Sequence, residues 1–214
     1  MLTLTEGAPY GRAIHEEDDV NDASDLKIAV ILGSTRPGGR GAAVANWVVE
    51  RGQGRGATYE LVDLADHPLP FFDEVHPPSR HEYQHAHTIE WAETVARYDG
   101  YIFVSPEYNH STSAVLKNAL DYLNREWNDK AAGIVTYGTT GGHRAAEALR
   151  TVLSELQVAT VQRQVGLSLM TDFENFTTLR PSERQVASLD GLFHQLESWA
   201  GALKTVRAHV AVPA

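Results

Sequence analysis

A chain of 214 residues, 43% hydrophobic and 21% charged, fits a single domain able to bury a substantial core and excludes bulk disorder. Its 28 acidic and 18 basic residues give a net charge of −10, with no run of Lys or Arg to offset it, so nucleic acid and anionic membranes are excluded as expected partners. It has no cysteine, which excludes disulfides, zinc-thiolate sites and cysteine nucleophiles; with neither a signal-peptide pattern nor an apolar stretch of spanning length, a soluble cytoplasmic protein is expected.

Residues 1–25 contain Glu16-Glu17-Asp18-Asp19 and little apolar periodicity. They read as an N-terminal extension, weakly ordered alone or serving as an interface arm, ahead of one folded domain over 26–210. The nearly all-apolar run 26–32 predicts a strand buried on both faces. After a glycine-rich loop, Val44, Trp47 and Val48 recur at helical spacing until Gly52. A second strand is predicted over 58–62 and a helix over about 88–97. The Pro- and His-rich connection 66–87 between them is long, and such loops are uncommon unless they serve a site or an interface.

A third buried strand over 100–104 is broken by Ser105-Pro106, and a helix follows over 113–123 with Val115, Leu116, Ala119, Leu120 and Leu123 inward. A fourth strand over 131–137, a glycine loop over 138–142 and a helix over 144–156 repeat the unit. A fifth strand is expected at about 159–165. The last helix starts near Pro181 and carries Val186, Leu189, Phe193, Leu196, Trp199 and Leu203 along one side. Five strands alternating with helices predict an α/β fold with a parallel, doubly wound sheet, because right-handed crossovers place helices on both faces.

Ligands of such sheets bind at the carboxyl ends of the strands where the winding reverses, which singles out the loops after strands one, three and four. The first, 33–41, sets small and hydroxyl-bearing residues before a helix N-terminus, an arrangement suited to an anion. Ser34 and Thr35 offer hydroxyls, Gly39 backbone access, and Arg36 and Arg40 charge-assisted bonds. A purely structural glycine turn is the plainer alternative. A nucleotide P-loop needs Lys-Ser or Lys-Thr after its last glycine, whereas Gly38 precedes Gly39-Arg40; the dinucleotide fingerprint already breaks at Gly33-Ser34-Thr35. A ligand with a single phosphate suits the loop better.

The second loop combines Pro106, Tyr108, Asn109 and His110, groups that suit the face or edge of a flat heteroaromatic ring. It also reads as a capped helix start with Ser111 or Ser113 at the N-cap. The third, with Gly138, Thr139, Gly141 and Gly142, lets backbone approach a ligand closely. His76, His81, His85 and His87 fix no ligand set, so no metal is expected. No Gly-x-Ser-x-Gly elbow occurs, which argues against a serine hydrolase.

Together, Gly33-Ser34-Thr35-Arg36, Leu69-Pro70-Phe71-Phe72-Asp73-Glu74, Ser105-Pro106-Glu107-Tyr108-Asn109-His110-Ser111, Leu116-Lys117-Asn118-Ala119-Leu120-Asp121 and Tyr137-Gly138 through Gly141-Gly142-His143-Arg144 resemble the NADPH-dependent FMN reductase family over about 27–167. The resemblance implies a flavodoxin-like three-layer sandwich with sheet order 2-1-3-4-5. It also implies bound FMN, NADPH or NADH as electron donor, a small-molecule acceptor such as a flavin or quinone, and a homodimer or homotetramer. It assigns phosphate binding to Ser34, Arg36 and Arg40, ring contacts to Pro106, Glu107, Tyr108 and Asn109, and flavin or pyrimidine-edge contacts to Tyr137, Gly138 and Gly141. The flavin carries the chemistry, so no catalytic side chain is expected. Thr112-Ser113 departs from the aliphatic residue and proline or glycine of many relatives. The alternatives are an electron-transfer flavodoxin, or a flavin-binding regulatory protein with little turnover.

Overall fold

The computed structural model describes residues 25–209; the expected N-terminal extension falls, apart from Asp25, outside them. Strands β1 (Lys27–Leu32), β2 (Thr58–Asp63), β3 (Gly100–Pro106), β4 (Lys130–Gly138) and β5 (Val158–Ser168) form one sheet. Its order is β2-β1-β3-β4-β5 and every pairing in it is parallel. Helices α1 (Gly41–Gly52), α2 (Ala86–Ala96), α3 (Ala114–Asp121), α4 (His143–Glu155) and α5 (Glu183–His209) complete the three layers. This is the predicted flavodoxin-like α/β sandwich.

The apolar strands are buried from both sides, as a parallel sheet under crossover helices requires. On one face, Ile28, Val30 and Leu32 of β1 pack with Val44 and Val48 of α1 and with Leu189, Phe193 and Leu196 of α5. On the other, Ala29 and Ile31 pack with Trp91 and Val95 of α2, Leu116 and Leu120 of α3, and Leu149 and Leu153 of α4. Two side chains expected inward are not: Val115 is 37% and Trp199 46% exposed. Each lies beside a residue that takes the inward position, Leu116 and Ala200 respectively, because a helical stripe drifts relative to a fixed residue spacing.

Two short strands, β6 (Phe173–Glu174) and β7 (Thr178–Leu179), form an antiparallel hairpin after β5. Sequence patterning does not reveal it, since two-residue strands carry no measurable period. The long 66–87 connection is ordered by side chains. Glu74 is buried and accepts from the amides of Gln84 and His85 at 3.0–3.1 Å. Asn118 Nδ2 and the Tyr122 hydroxyl both donate to the Pro70 carbonyl, at 2.7 and 3.1 Å. Among the described residues, no helix is long and apolar enough to cross a membrane.

Candidate active site

The loop between β1 and α1 is a turn of backbone held at both ends. The Gly33 amide donates to the Val104 carbonyl at 2.9 Å, and Gly39 donates to Arg36 at 3.0 Å. The first amides of a helix have no intrahelical acceptor. At α1 they also lack a side-chain cap, and no acidic residue stands in the first turn. The helix dipole and these amides therefore favour an anion at this end. Gly41 is required at the start: a Cβ there would lie 2.7 Å from both Leu32 Cδ1 and the Tyr137 hydroxyl. Arg36 and Thr35 are exposed on the loop, whereas Ser34 is buried, with its Oγ 3.4 Å from the Tyr108 hydroxyl and accepting from the Arg36 amide at 3.4 Å.

Arg40 sits at the N-cap of α1, but its side chain turns outward along the loop. Nη1 donates to the Gly38 carbonyl at 2.8 Å and Nε to the Phe176 carbonyl, at the tip of the β6–β7 hairpin, at 2.6 Å. Two of its donors are thus spent on protein carbonyls.

The loop after β3 turns on Asn109 and His110, both left-handed with φ of 49° and 68°. Asn and His are among the side chains that enter this region most readily. The turn is closed by Tyr108 and Ser111, which exchange backbone bonds of 2.9 and 3.0 Å. Its base is tied by the Ser105 and Thr112 hydroxyls, 2.7 Å apart. Ser113 caps α3, accepting from the Leu116 amide at 3.2 Å, and donates its hydroxyl to the Gly33 carbonyl. The Thr112-Ser113 departure therefore supplies hydroxyls that knit the loop together and join it to the first loop.

The loop after β4 ends on Gly141 and Gly142, at φ of 86° and 76°. A Cβ on Gly142 would lie 2.7 Å from Thr136 Cβ. Thr139 is exposed and its carbonyl accepts from the Ser168 hydroxyl at 2.8 Å. Glu107 spans the second and third loops: Arg144 donates to its carboxylate from Nε at 2.7 Å and from the backbone amide at 3.1 Å. Burial works against its charge, yet these Arg144 bonds hold the carboxyl below the usual range.

The three loops come together at one end of the sheet, and Pro106 is paired with Tyr137 across β3 and β4. Glu107, expected as a ring contact, and Tyr137, expected as a flavin or pyrimidine-edge contact, have side chains engaged within the protein. The Glu107 carboxylate faces the start of α4, and Tyr137 is buried with its hydroxyl beneath Gly41. Burial pushes the Tyr137 phenol up to about 12, opposed by its bond to Ser34, so it stays a neutral hydroxyl. Of the two N-cap candidates it is Ser113 that caps α3; the sequence did not single out Phe176, which is joined to the first loop through a contact distant in sequence.

The model of the NADPH-dependent FMN reductase family matches residues 26–172. The chain belongs to that family. An NAD(P)H-dependent FMN reductase of Schizosaccharomyces pombe is 40% identical over 149 residues, covering 68% of this chain and 74% of that protein. An NAD(P)H:quinone oxidoreductase of Solanum tuberosum is 32% identical over 139 residues, covering 59% and 66%. Among solved structures, the flavoenzyme NAD(P)H:(acceptor) oxidoreductase FerB of Paracoccus denitrificans superposes with a TM-score of 0.66 at 18% identity, over 83% of this chain and 98% of that one. The last likeness is one of fold.

The residues present fit the family's FMN. The uncapped α1 start, the Ser34 hydroxyl and the exposed Arg36 have the donor chemistry a phosphate needs. The exposed Tyr108–Ser111 turn and the glycines at 141 and 142, which carry no side chain, suit the close approach of a flat ring. Beyond Thr35, a cavity of ≈ 670 Å³ opens between Leu64, Leu69, Phe71, Val115 and Asn118.

Proposed function

We propose that this member of the FMN reductase family is an NAD(P)H-dependent oxidoreductase that reduces a flavin, quinone or similar small acceptor at the mouth of its three loops. The observation that carries the reading is the joining of an uncapped helix N-terminus to the Tyr108 turn, through Ser34 and Ser113, in a chain whose family model spans 26–172. When bound, FMN supplies the redox chemistry, taking a hydride from NAD(P)H and passing electrons to the acceptor.

The chain's own residues bind and orient. The α1 amides, Ser34 and Arg36 hold the phosphate, and Tyr137 keeps a neutral hydroxyl below it. Glu107, bonded to Arg144, fixes the second loop against the third, on the side where the ring would lie. The exposed Tyr108, Asn109 and His110 border the side from which nicotinamide and acceptor approach. Steady-state oxidation of NADPH or NADH with a quinone, added FMN and no second protein tests this. Turnover supports the reductase, whereas bound flavin without turnover returns the flavodoxin or regulatory reading.

The chain also works as a homodimer or homotetramer in this proposal. Phe71 at 87% and Val115 at 37% exposed both line the cavity, and exposed apolar surface at such a mouth suits an interaction site. Sedimentation of the chain and of a Phe71→Asp, Val115→Asp variant decides it: a dimer or larger assembly that the variant reduces to monomer is expected, and a monomeric parent chain contradicts it. A cysteine-free chain suits the cytoplasm as its compartment.

A further inference from the structure

The third loop has a second support, from the side of β5. His143, the first residue of α4, lays its imidazole against two glycines that admit it. A Cβ on Gly166 of β5 would lie 2.6 Å from the ring's Cε1 and 3.2 Å from its Nδ1, and one on Gly141 would lie 3.0 Å from its Nε2. The ring therefore occupies space that both residues leave by having no side chain. Gly141 needs glycine for its left-handed backbone as well. At Gly166 the obstacles to a Cβ are this ring and the Gly141 carbonyl, 2.9 Å from the same point.

Hydrogen bonds fix how the ring is held. Gln164 Nε2 lies 3.3 Å from His143 Nδ1, and Gln164 Oε1 accepts from Arg150 Nη2 at 3.2 Å. A guanidinium only donates, so it turns the amide oxygen toward Arg150 and the amide NH2 toward the imidazole. Nδ1 is then the acceptor, and the neutral ring carries its proton on Nε2, the nitrogen beside Gly141. Arg150 is itself held by the Thr160 hydroxyl at 3.1 Å and the Val161 carbonyl at 2.9 Å. These bonds fall where the register of β5 against β4 shifts, between the pairs Ala132–Thr160 and Ile134–Gln164.

The backbone of the loop is pinned separately. The Thr136 hydroxyl donates to the Gly141 carbonyl at 2.9 Å, and the Leu169 amide to the Gly138 carbonyl at 2.9 Å. The imidazole adds a packed surface against Gly141 that neither bond provides.

We infer that His143 is a positioning residue of the flavin site: oriented by Arg150 through Gln164, its imidazole packs on Gly141 and holds the third loop in the shape that receives the ring. It acts through the loop and not on the reacting atoms. The inference rests on the flavin reading above and names the side chain that shapes one of its three loops.

Two measurements on the full chain test it. In the flavin-free protein, nitrogen NMR of the histidine rings should find the His143 proton on Nε2, and a proton on Nδ1 overturns the inference. In titrations with FMN, His143→Ala should bind about 10-fold more weakly than the parent chain, and His143→Asn, whose Oδ1 can take the bond from Gln164, should recover to within about threefold. A merely structural role would lower the melting temperature of the flavin-free variants and leave FMN affinity alone. Unchanged affinity in His143→Ala, or no recovery in His143→Asn, therefore overturns the inference. Failure of the parent chain to bind FMN overturns the flavin reading and the inference with it, a result distinct from the others because it appears before any substitution is made.

Discussion

At the scale of single residues, the proposed phosphate site depends on few side chains because most of its donors are backbone amides. Ser34 and Arg36 are the two whose removal leaves the α1 amides in place. A hydrogen bond to a charged group contributes about 1.5–3 kcal/mol, so Ser34→Ala and Arg36→Ala should each weaken FMN about 10- to 100-fold in an equilibrium titration, with the melting temperature little changed. Undiminished affinity in both would put the phosphate elsewhere. The residues bearing this site were legible in the sequence because their types are chemically unusual in such loops. What their side chains do was less so. Glu107 faces Arg144, 37 positions along the chain, and Tyr137 faces Gly41, and neither pairing leaves a local pattern.

At the scale of elements, Ser113 joins two loops that strand pairing alone would leave independent. It caps α3 and its hydroxyl reaches the Gly33 carbonyl. Ser113→Ala removes both bonds at a buried position and should lower unfolding free energy by about 1–2 kcal/mol, as measured in denaturant. FMN should weaken with it, since Gly33 opens the phosphate loop; a drop in stability with unchanged flavin affinity would show that the tie does not reach the site. Periodicity located the five strands of the sheet and five helices to within a few residues, since each buries a regular apolar face. The β6–β7 hairpin escaped it because its order comes from Asp172, Phe173 and Arg40, through contacts to the core, to Ser168 and to the loop before α1 rather than from a periodic apolar face.

At the scale of the whole molecule, the end of the sheet opposite the loops holds a pH-sensitive group. Lys130 begins β4, is 5% exposed, and donates to the Tyr101 hydroxyl at 2.8 Å and the Val95 carbonyl at 3.2 Å. Burial, reinforced by Arg207, lowers its amine from 10.5 to about 7 against the opposing pull of Asp99 and Glu126. From about pH 7 to about pH 10 the unfolded chain holds a proton there that the folded chain lacks, so stability rises with pH, by at most ~1.4 kcal/mol per unit. Below that window both forms are protonated and the contribution is flat. Above about pH 10, Tyr101 and Tyr59, both pushed up chiefly by burial, keep protons that the unfolded chain loses, and stability falls again. Melting temperatures should therefore climb from about pH 7 to about pH 9, and Lys130→Met should flatten the climb. An unchanged slope in the variant would assign it to other groups.

The order of the sheet brings loops one, three and four to one end, and the account stands on what they hold. The most direct test is an anaerobic visible spectrum of the protein with FMN, recorded before and after NADPH or NADH and again after a quinone. The account predicts that a nicotinamide bleaches the bound flavin and that the quinone restores it. A bound flavin that neither nicotinamide bleaches would contradict the reductase, and a spectrum identical to free FMN throughout would contradict the site.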